Sequence, residues 1–147
     1  MESPQSPVLA PDAALRIRAA FEAQPYPRQL GMRLATFAPG EAELRLPFRP
    51  DLAQADGAFD PGVVATMAEQ SARTAADTLL HPDRIALTVE FKVNIMAPGK
   101  GGELIARGRV VRRGKTVTVC RADLAVQQDG RETPCATGVM TLLASPR

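Results

Sequence analysis

The residues with the clearest chemical potential surround Glu69, a carboxylate in an alanine-rich stretch that begins at an Asp60-Pro61-Gly62 corner. Asp is a favoured helix N-cap and Pro is favoured at the first helical position, so the corner predicts a helix with Glu69 in its interior. A carboxylate held on a helix can act as a general base or as a nucleophile. The competing interpretation is structural, because Glu69 and Arg73 have the i,i+4 spacing of a surface ion pair.

Composition limits the classes of function. The chain has 147 residues, enough for one domain with its own core, and its net charge of +2 includes no dense Lys/Arg block. We therefore expect no nucleic-acid partner, although mild basicity suits small anionic ligands. Cys120 and Cys135 lack the spacing of a metal site. The one histidine, His81, lies at the end of the predicted helix, where it is expected to stabilise the helix through its dipole. We expect neither a metal nor a bound organic cofactor.

The sequence contains no pattern that predicts export or membrane insertion. Its first residues have neither the basic segment nor the apolar segment of a secretory signal. No apolar run approaches the roughly 20 residues that span a bilayer. We therefore expect a cytoplasmic protein with no membrane partner.

Periodicity and turn residues predict the order of the elements. Residues 1–11 are rich in Pro and Ser, so we expect a flexible tail before a single domain over residues 12–147. An amphipathic helix is predicted from Asp12 to about Gln24, and a central helix over residues 61–80. Strands are predicted over residues 32–37, 42–48, 85–96, 104–112, 116–127 and 135–143.

The pattern over residues 85–96 predicts the clearest strand, in which alternate apolar residues face one way: Ile85, Leu87, Val89, Phe91, Val93 and Ile95. Short turns follow, including an Asp129-Gly130 hairpin turn, so the last four strands are predicted to form an antiparallel meander. One long helix against a curved antiparallel sheet of five to six strands, with an extra N-terminal helix, is an α+β layout.

This order of elements resembles the hotdog fold and, within it, the PaaI-like acyl-CoA thioesterases of the phenylacetate pathway, over about residues 30–143. In that family a His-Gly-Gly turn starts the helix and an acid follows seven positions after the second Gly, as Glu69 follows Gly62. A polar amide often lies six residues before the family His, where this chain has Gln54. Three later family motifs are similar to Thr88-Val89-Glu90, Pro98-Gly99-Lys100-Gly101-Gly102-Glu103-Leu104 and Val110-Val111-Arg112-Arg113-Gly114.

The resemblance implies hydrolysis of an acyl-CoA thioester, with Glu69 as general base or nucleophile. Gln54 is then expected to orient water or the thioester, and Thr88 to bind the acyl carbonyl or water across a dimer. For both residues a purely structural role is an equal alternative, because Gln54 lies in a loop and Thr88 is a β-branched residue in a strand.

Two residues depart from the family motif at the helix start. Asp60 stands in place of the family His, and Pro61 in place of the Gly whose amide is the family's oxyanion donor. Pro has no N–H, so the Gly62 amide is the expected donor, as in dehydratases of the same fold that carry a Pro-Gly-Val corner like Pro61-Gly62-Val63. Asp60, as helix cap, is expected to compete for the same amide.

Further residues are expected to contact the substrate. They are Asp60, Pro61 and Val63 at the corner, Arg73 on the helix flank beside Thr66 and Gln70, and Arg112, Arg113 and Lys115 at a hairpin. The hairpin cations suit the phosphates of CoA, although a charged hairpin tip is more often simply solvated. The acyl pocket is expected to include Phe59, Val64 and Met67.

Two alternatives remain beside hydrolysis. The first is a non-catalytic acyl-CoA-binding hotdog protein, because Asp60-Pro61 replaces the family's His-Gly. The second, a dehydratase or hydratase, is the weakest, because residues 49–60 contain no His. The resemblance also implies a homo-oligomer, a dimer or tetramer, with a shared site and with the strand over residues 85–96 at the interface.

Overall fold

The computed structural model describes residues 9–147. Within them the helices are α1 (Pro11–Glu22), α2 (Pro25–Leu30) and α3 (Pro61–Asp77), with a 3-10 turn at Pro50–Leu52. The strands are β1 (Arg33–Ala38), β2 (Glu41–Pro47), β3 (Arg84–Ile95), β4 (Glu103–Arg113), β5 (Val117–Gln128) and β6 (Arg131–Pro146). Most of the predicted tail lies outside the described residues, and α1 begins at Pro11, one residue before the predicted domain boundary.

All six strands form one antiparallel sheet in the order β1-β2-β4-β5-β6-β3. The predicted six-stranded α+β hotdog layout is therefore confirmed, but the predicted four-strand meander is wrong, because β3 lies beside β6 rather than β4. About seven residues link β3 to β4, and extended they reach about 23 Å, more than the roughly 14 Å across three strand spacings. The short link therefore does not require the two strands to be neighbours.

Helix α3 packs directly on one face of this sheet. A methyl group added at Gly108 in β4 would lie 2.2 Å from the carbonyl oxygen of Ser71, so the helix and strand backbones are nearly in contact. Phe59, Val64 and Met67, which were expected to line an acyl pocket, are fully buried in this core instead. No helix among residues 9–147 is long and apolar enough to cross a membrane.

Strand β3 changes face partway along its length because a bulge interrupts its pairing between Thr88 and Glu90. Thr88 pairs with Leu142 and Phe91 pairs with Met140, and both partners are buried on the face that contacts α3. The extra residue shifts the alternation by one position. The apolar residues before and after the bulge therefore lie on opposite faces. The prediction that a single face carries them all is wrong, for Ile85, Leu87, Val89, Phe91, Val93 and Ile95.

Candidate functional site

The carboxylate of Glu69 lies in the middle of α3 and is held at both oxygens. Thr88 Oγ1 donates to Glu69 Oε1 at 2.7 Å, and Gln70 Nε2 donates to Glu69 Oε2 at 2.8 Å. The side chain of Glu69 is only 15% exposed. Thr88 pairs with the buried Leu142 and therefore lies on the sheet face that contacts α3, where its hydroxyl is one of the two donors that orient the carboxylate.

Arg73 is the second neighbour of Glu69, and it forms the i,i+4 ion pair of the structural interpretation, although the two side chains are only 22% and 15% exposed. Its Nε atom lies 3.9 Å from Glu69 Oε1, beyond hydrogen-bond distance. Arg73 Nη2 instead donates to Gln70 Oε1 at 2.9 Å and to the side-chain oxygen of Gln24, in the link between α1 and α2. A chain of contacts therefore runs from Gln24 to the carboxylate.

An open cleft of about 440 Å³ lies over this carboxylate. It is lined by Tyr26, Thr66, Glu69, Gln70, Thr88, Val89, Glu90 and Phe91. Glu69 and Thr88 were singled out from the sequence, and Gln70 and Thr66 were placed on the same helix flank. Tyr26 and Gln24 were not identified, because no local motif connects them to residues more than 40 positions away.

The first turn of α3 holds the second group of predicted site residues. Gly62 N–H donates to Asp60 Oδ1 at 2.7 Å, so the helix cap occupies the amide that was expected to bind an oxyanion. Pro61 has no N–H to offer. The next amide, of Val63, forms no hydrogen bond within residues 9–147, and the Val64 amide is bonded to the Asp60 carbonyl oxygen at 3.0 Å.

Gln54 belongs to this second group. It is exposed in the loop before α3, where its backbone bonds to Ala58 and Gly57. Glu69 lies seven positions after Gly62 in the helix, which places them about 10 Å apart along the axis. Within one chain, therefore, the predicted donors and the predicted base do not meet at one carbonyl group.

The hairpin cations form a third group. Arg112, Arg113 and Lys115 are exposed at the turn between β4 and β5, and none forms an ion pair with another described residue. Arg113 pairs with Thr118, and Thr118 pairs with Leu142. Leu142 in turn pairs with Thr88, so Arg113 and Thr88 lie in one row across the sheet. Three strand spacings, about 14 Å, separate the hairpin from Thr88.

Another cleft, of about 410 Å³, lies over β1, β2, β4 and β5 and includes Glu43, Arg107 and Asp123. Two of its three carboxylates, Glu43 and Asp123, are already engaged by arginines, and the third, Glu41, is exposed. Burial alone would raise the pKa of Glu43, but hydrogen bonds from Arg45 and Arg107 hold that pKa below its ordinary value. Such a carboxylate is a poor base, so Glu69 is the better candidate.

The remaining nucleophilic side chains do not suggest a site. Burial raises the pKa of Cys120 to about 12, and it also raises the pKa of Cys135, so both thiols stay protonated at neutral pH. His81 is exposed and its Nδ1 lies 3.2 Å from Asp83 Oδ2, away from the cleft residues.

Comparison with known proteins links this geometry to a family. A family model described as the N-terminal domain of acyl-CoA thioesterases matches residues 57–143. The crystal structure of a thioesterase family protein from Silicibacter pomeroyi has a TM-score of 0.89 and 36% identity, covering 92% of this chain and 99% of that chain.

Two more distant structures share the fold. The PaaI protein from the phenylacetic acid degradation operon of E. coli has a TM-score of 0.82 and 17% identity, covering 93% of this chain and 96% of that chain. A thioesterase from Haemophilus influenzae has a TM-score of 0.79 and 19% identity, covering 86% and 87%. No match was found among curated protein sequences. The matched family segment contains Glu69 and Thr88, whereas Gln24 and Tyr26 precede it.

Proposed function

This chain belongs to the acyl-CoA thioesterase family, enzymes that hydrolyse acyl-CoA thioesters, and we propose that Glu69 is the general base or nucleophile of that reaction here. The observation that supports this role is the carboxylate itself, held by Thr88 and Gln70 at the floor of an open cleft. Two neutral donors orient the oxygens and leave lone pairs free for a water proton or a carbonyl carbon.

In the general-base route, Glu69 takes a proton from water as the water oxygen bonds to the thioester carbon. The carbonyl oxygen becomes an oxyanion, the carbonyl re-forms as the carbon–sulfur bond breaks, and CoA leaves as a thiolate that takes the proton from Glu69. In the nucleophilic route a Glu69 oxygen bonds to that carbon first, the carbon–sulfur bond breaks and CoA leaves, and water then hydrolyses the resulting mixed anhydride to the free acid and the Glu69 carboxylate. Thr88 orients Glu69 in both routes.

The oxyanion needs a donor that the same chain does not place near Glu69. We assign it to the first turn of α3 in a second copy, with Gly62 as donor and with Gln54, Asp60, Pro61 and Val63 around it. If two α3 helices lie antiparallel across a two-fold axis, Gly62 of one faces Glu69 of the other when the axis passes between Ala65 and Thr66. Both of these residues are only partly buried.

The open edge of the sheet favours such a pairing. Among residues 9–147, β3 has a strand neighbour on one side only, and its exposed apolar residues outside the cleft include Leu87 and Ile95. A long exposed apolar edge is an aggregation hazard that a second subunit would cover. The proposed assembly is therefore a homo-oligomer built on β3, with two equivalent sites in each dimer.

One hydrogen bond favours a second candidate function, acyl-CoA binding without turnover. Asp60 Oδ1 occupies the Gly62 amide, and a carboxylate at this position repels a developing oxyanion. Catalysis then requires the Asp60 side chain to release the amide when substrate binds. If the Asp60 side chain never releases the Gly62 amide, the protein would bind acyl-CoA without hydrolysing it.

The deciding experiment compares Glu69→Gln with the wild-type protein on a panel of acyl-CoA substrates, with free thiol release as the measurement. Loss of a positioned general base typically costs 10²–10⁴-fold, so we expect at least a ~100-fold lower kcat with an unchanged melting temperature. Glu90→Gln is the matched control, because Glu90 lines the same cleft. Absence of turnover in the wild-type protein, together with measurable acyl-CoA binding, would establish the binding function instead.

The hairpin cations are proposed to bind the phosphates of CoA. Substitution of Arg112 and Arg113 by Ala is expected to raise KM for acyl-CoA while leaving KM for the matching acyl-pantetheine, which lacks the nucleotide, unchanged. Equal effects on both substrates would assign these residues to folding, and no effect on either would show a merely solvated hairpin tip.

A further inference from the structure

The corner between α1 and α2, defined here as Gln24-Pro25-Tyr26-Pro27, lies before the matched family segment yet reaches the cleft over Glu69. Tyr26 is 54% exposed, and its cleft neighbours Val89 and Phe91 are 55% and 50% exposed. Three large apolar surfaces therefore line the same cleft as the Glu69 carboxylate.

The corner is held firmly against α3. Pro25 starts α2 and Pro27 is fully buried, so two proline rings fix the backbone on either side of Tyr26. Gln24 accepts from Arg73, which lies one helical turn after Glu69. The tyrosine ring is consequently presented by a rigid backbone, which lowers the entropic cost of binding a ligand against it.

We propose that this corner forms one wall of the acyl subsite and makes the enzyme selective for longer apolar acyl groups over short ones. The proposal rests on the proposed function, because a carbonyl placed at Glu69 and Thr88 directs its acyl chain along the cleft toward Tyr26, Val89 and Phe91. A cleft of about 440 Å³ has room for such a chain, since ligand pockets commonly measure about 300–1,000 Å³.

The test compares the ratio of kcat/KM for hexanoyl-CoA to that for acetyl-CoA in three variants. In Tyr26→Ala the ratio is expected to fall roughly tenfold, because apolar contact with the longer chain is lost while the shorter chain never reaches the ring. Tyr26→Phe keeps the ring and should keep the ratio. Leu15→Ala removes an exposed apolar side chain of α1 outside the cleft and should also leave the ratio unchanged.

An unchanged ratio in Tyr26→Ala would overturn the inference while leaving the proposed hydrolysis intact. An equal loss on both substrates, with a changed mass in sedimentation analysis, would also overturn it, by assigning Tyr26 to a subunit contact. If the wild-type protein hydrolyses no thioester, the proposed function fails, and the thioethers S-hexyl-CoA and S-methyl-CoA replace the substrates in calorimetric titrations. A loss of affinity in Tyr26→Ala that is confined to S-hexyl-CoA would then support the subsite. If Tyr26→Ala binds S-hexyl-CoA as tightly as the wild-type protein does, the subsite is refuted.

Discussion

The surroundings of Glu69 differ from those of Glu43, which is also partly buried. Glu43 is bonded by two guanidinium groups that keep its pKa low against the effect of burial. Glu69 accepts from a hydroxyl and an amide, and the nearest guanidinium atom stands 3.9 Å away. Neutral donors fix the orientation of a carboxylate without neutralising its charge, which is what a base or nucleophile requires.

The residue with the most to reveal about the oxyanion donor is Asp60. Asp60→Ala removes a helix cap and should lower the free energy of unfolding by about 0.5–2 kcal/mol. It also frees the Gly62 amide and removes a negative charge, so we expect kcat to rise at least severalfold, since one such donor is typically worth ~10²–10³-fold. Thiol release and thermal unfolding of the same preparation measure both effects.

Asp60→Asn is the matched variant, because Asn keeps the capping oxygen but not the charge. A rise in kcat for both variants would identify the charge as the obstacle, whereas a rise for Asp60→Ala alone would identify the occupied amide. If kcat falls in both, Asp60 has a positive role in the reaction and the assignment of Gly62 as donor is wrong.

At the scale of elements, the position of Glu69 depends on how closely α3 lies on β4. Gly108→Ala would place a methyl group 2.2 Å from the Ser71 carbonyl oxygen and 2.5 Å from the Ala72 amide nitrogen. Both are backbone atoms, so the helix itself must move. We expect a loss of about 3 kcal/mol or more in urea unfolding and a loss of activity in the folded fraction.

Gly102→Ala is the control for that substitution. Its added methyl group would have its nearest contacts at 3.5 and 3.6 Å, ordinary van der Waals distances, at a backbone φ that other residues adopt. A similar loss of stability in both variants would mean that general flexibility, rather than the approach of α3 to β4, explains the result.

The last residue of α3 gives a pH-dependent prediction. Burial raises the pKa of Asp77, although the Ala86 amide donates to it at 2.8 Å, and its negative charge opposes the helix dipole. Because the folded-state pKa lies above the unfolded one, ionisation of Asp77 destabilises the fold at neutral pH. That penalty disappears as the pH falls through the folded-state pKa.

Asp77→Asn keeps an oxygen for the Ala86 amide and removes the charge. We expect it to raise the free energy of unfolding at pH 7 by about 0.3–1 kcal/mol, with the gain shrinking toward pH 4. Urea unfolding of both proteins across this pH range measures the difference. A gain that stays constant with pH would show that the charge of Asp77 is not its cause.

Elements with strong local patterns were predictable from the sequence, and features decided by tertiary pairing were not. Asp60-Pro61 marks the start of α3 correctly, and six strands appear near their predicted positions. The bulge in β3 has no local signature in the sequence. The alternation of apolar residues along β3 therefore predicted the wrong sheet face for the residues after Thr88. Helix α2 escaped notice because Pro25 and Pro27 are typical of a helix end.

The same division applies to the site. Resemblance to a family brought Glu69 and Thr88 together, and the structure places them 2.7 Å apart. Tyr26 reaches the cleft, and Gln24 contacts Arg73, only because α1 and α2 fold back against α3, a contact that no spacing in the sequence encodes. Distant side chains brought together by packing are the ones that a single sequence does not reveal.

At the scale of the whole molecule, the proposed base and the proposed oxyanion donor of one chain are separated by about 10 Å of helix. An antiparallel pair of α3 helices across a two-fold axis would bring each base to the donor of the other chain. The apolar edge of β3 would be covered by the same arrangement. Assembly and catalysis are thereby expected to depend on one surface.

Complementation between two inactive variants tests this dependence. Glu69→Gln removes the base, and Gly62→Pro removes the donor amide at a position in the first helical turn, where proline is tolerated. A heterodimer of the two, isolated by different affinity tags, has one site with both residues intact and one with neither, so we expect about half of the wild-type activity. Each homodimer should be inactive and should keep its helical circular dichroism. A heterodimer as inactive as its parents would mean that base and donor act within a single chain, which would require α3 to break between residues 62 and 69 when substrate binds.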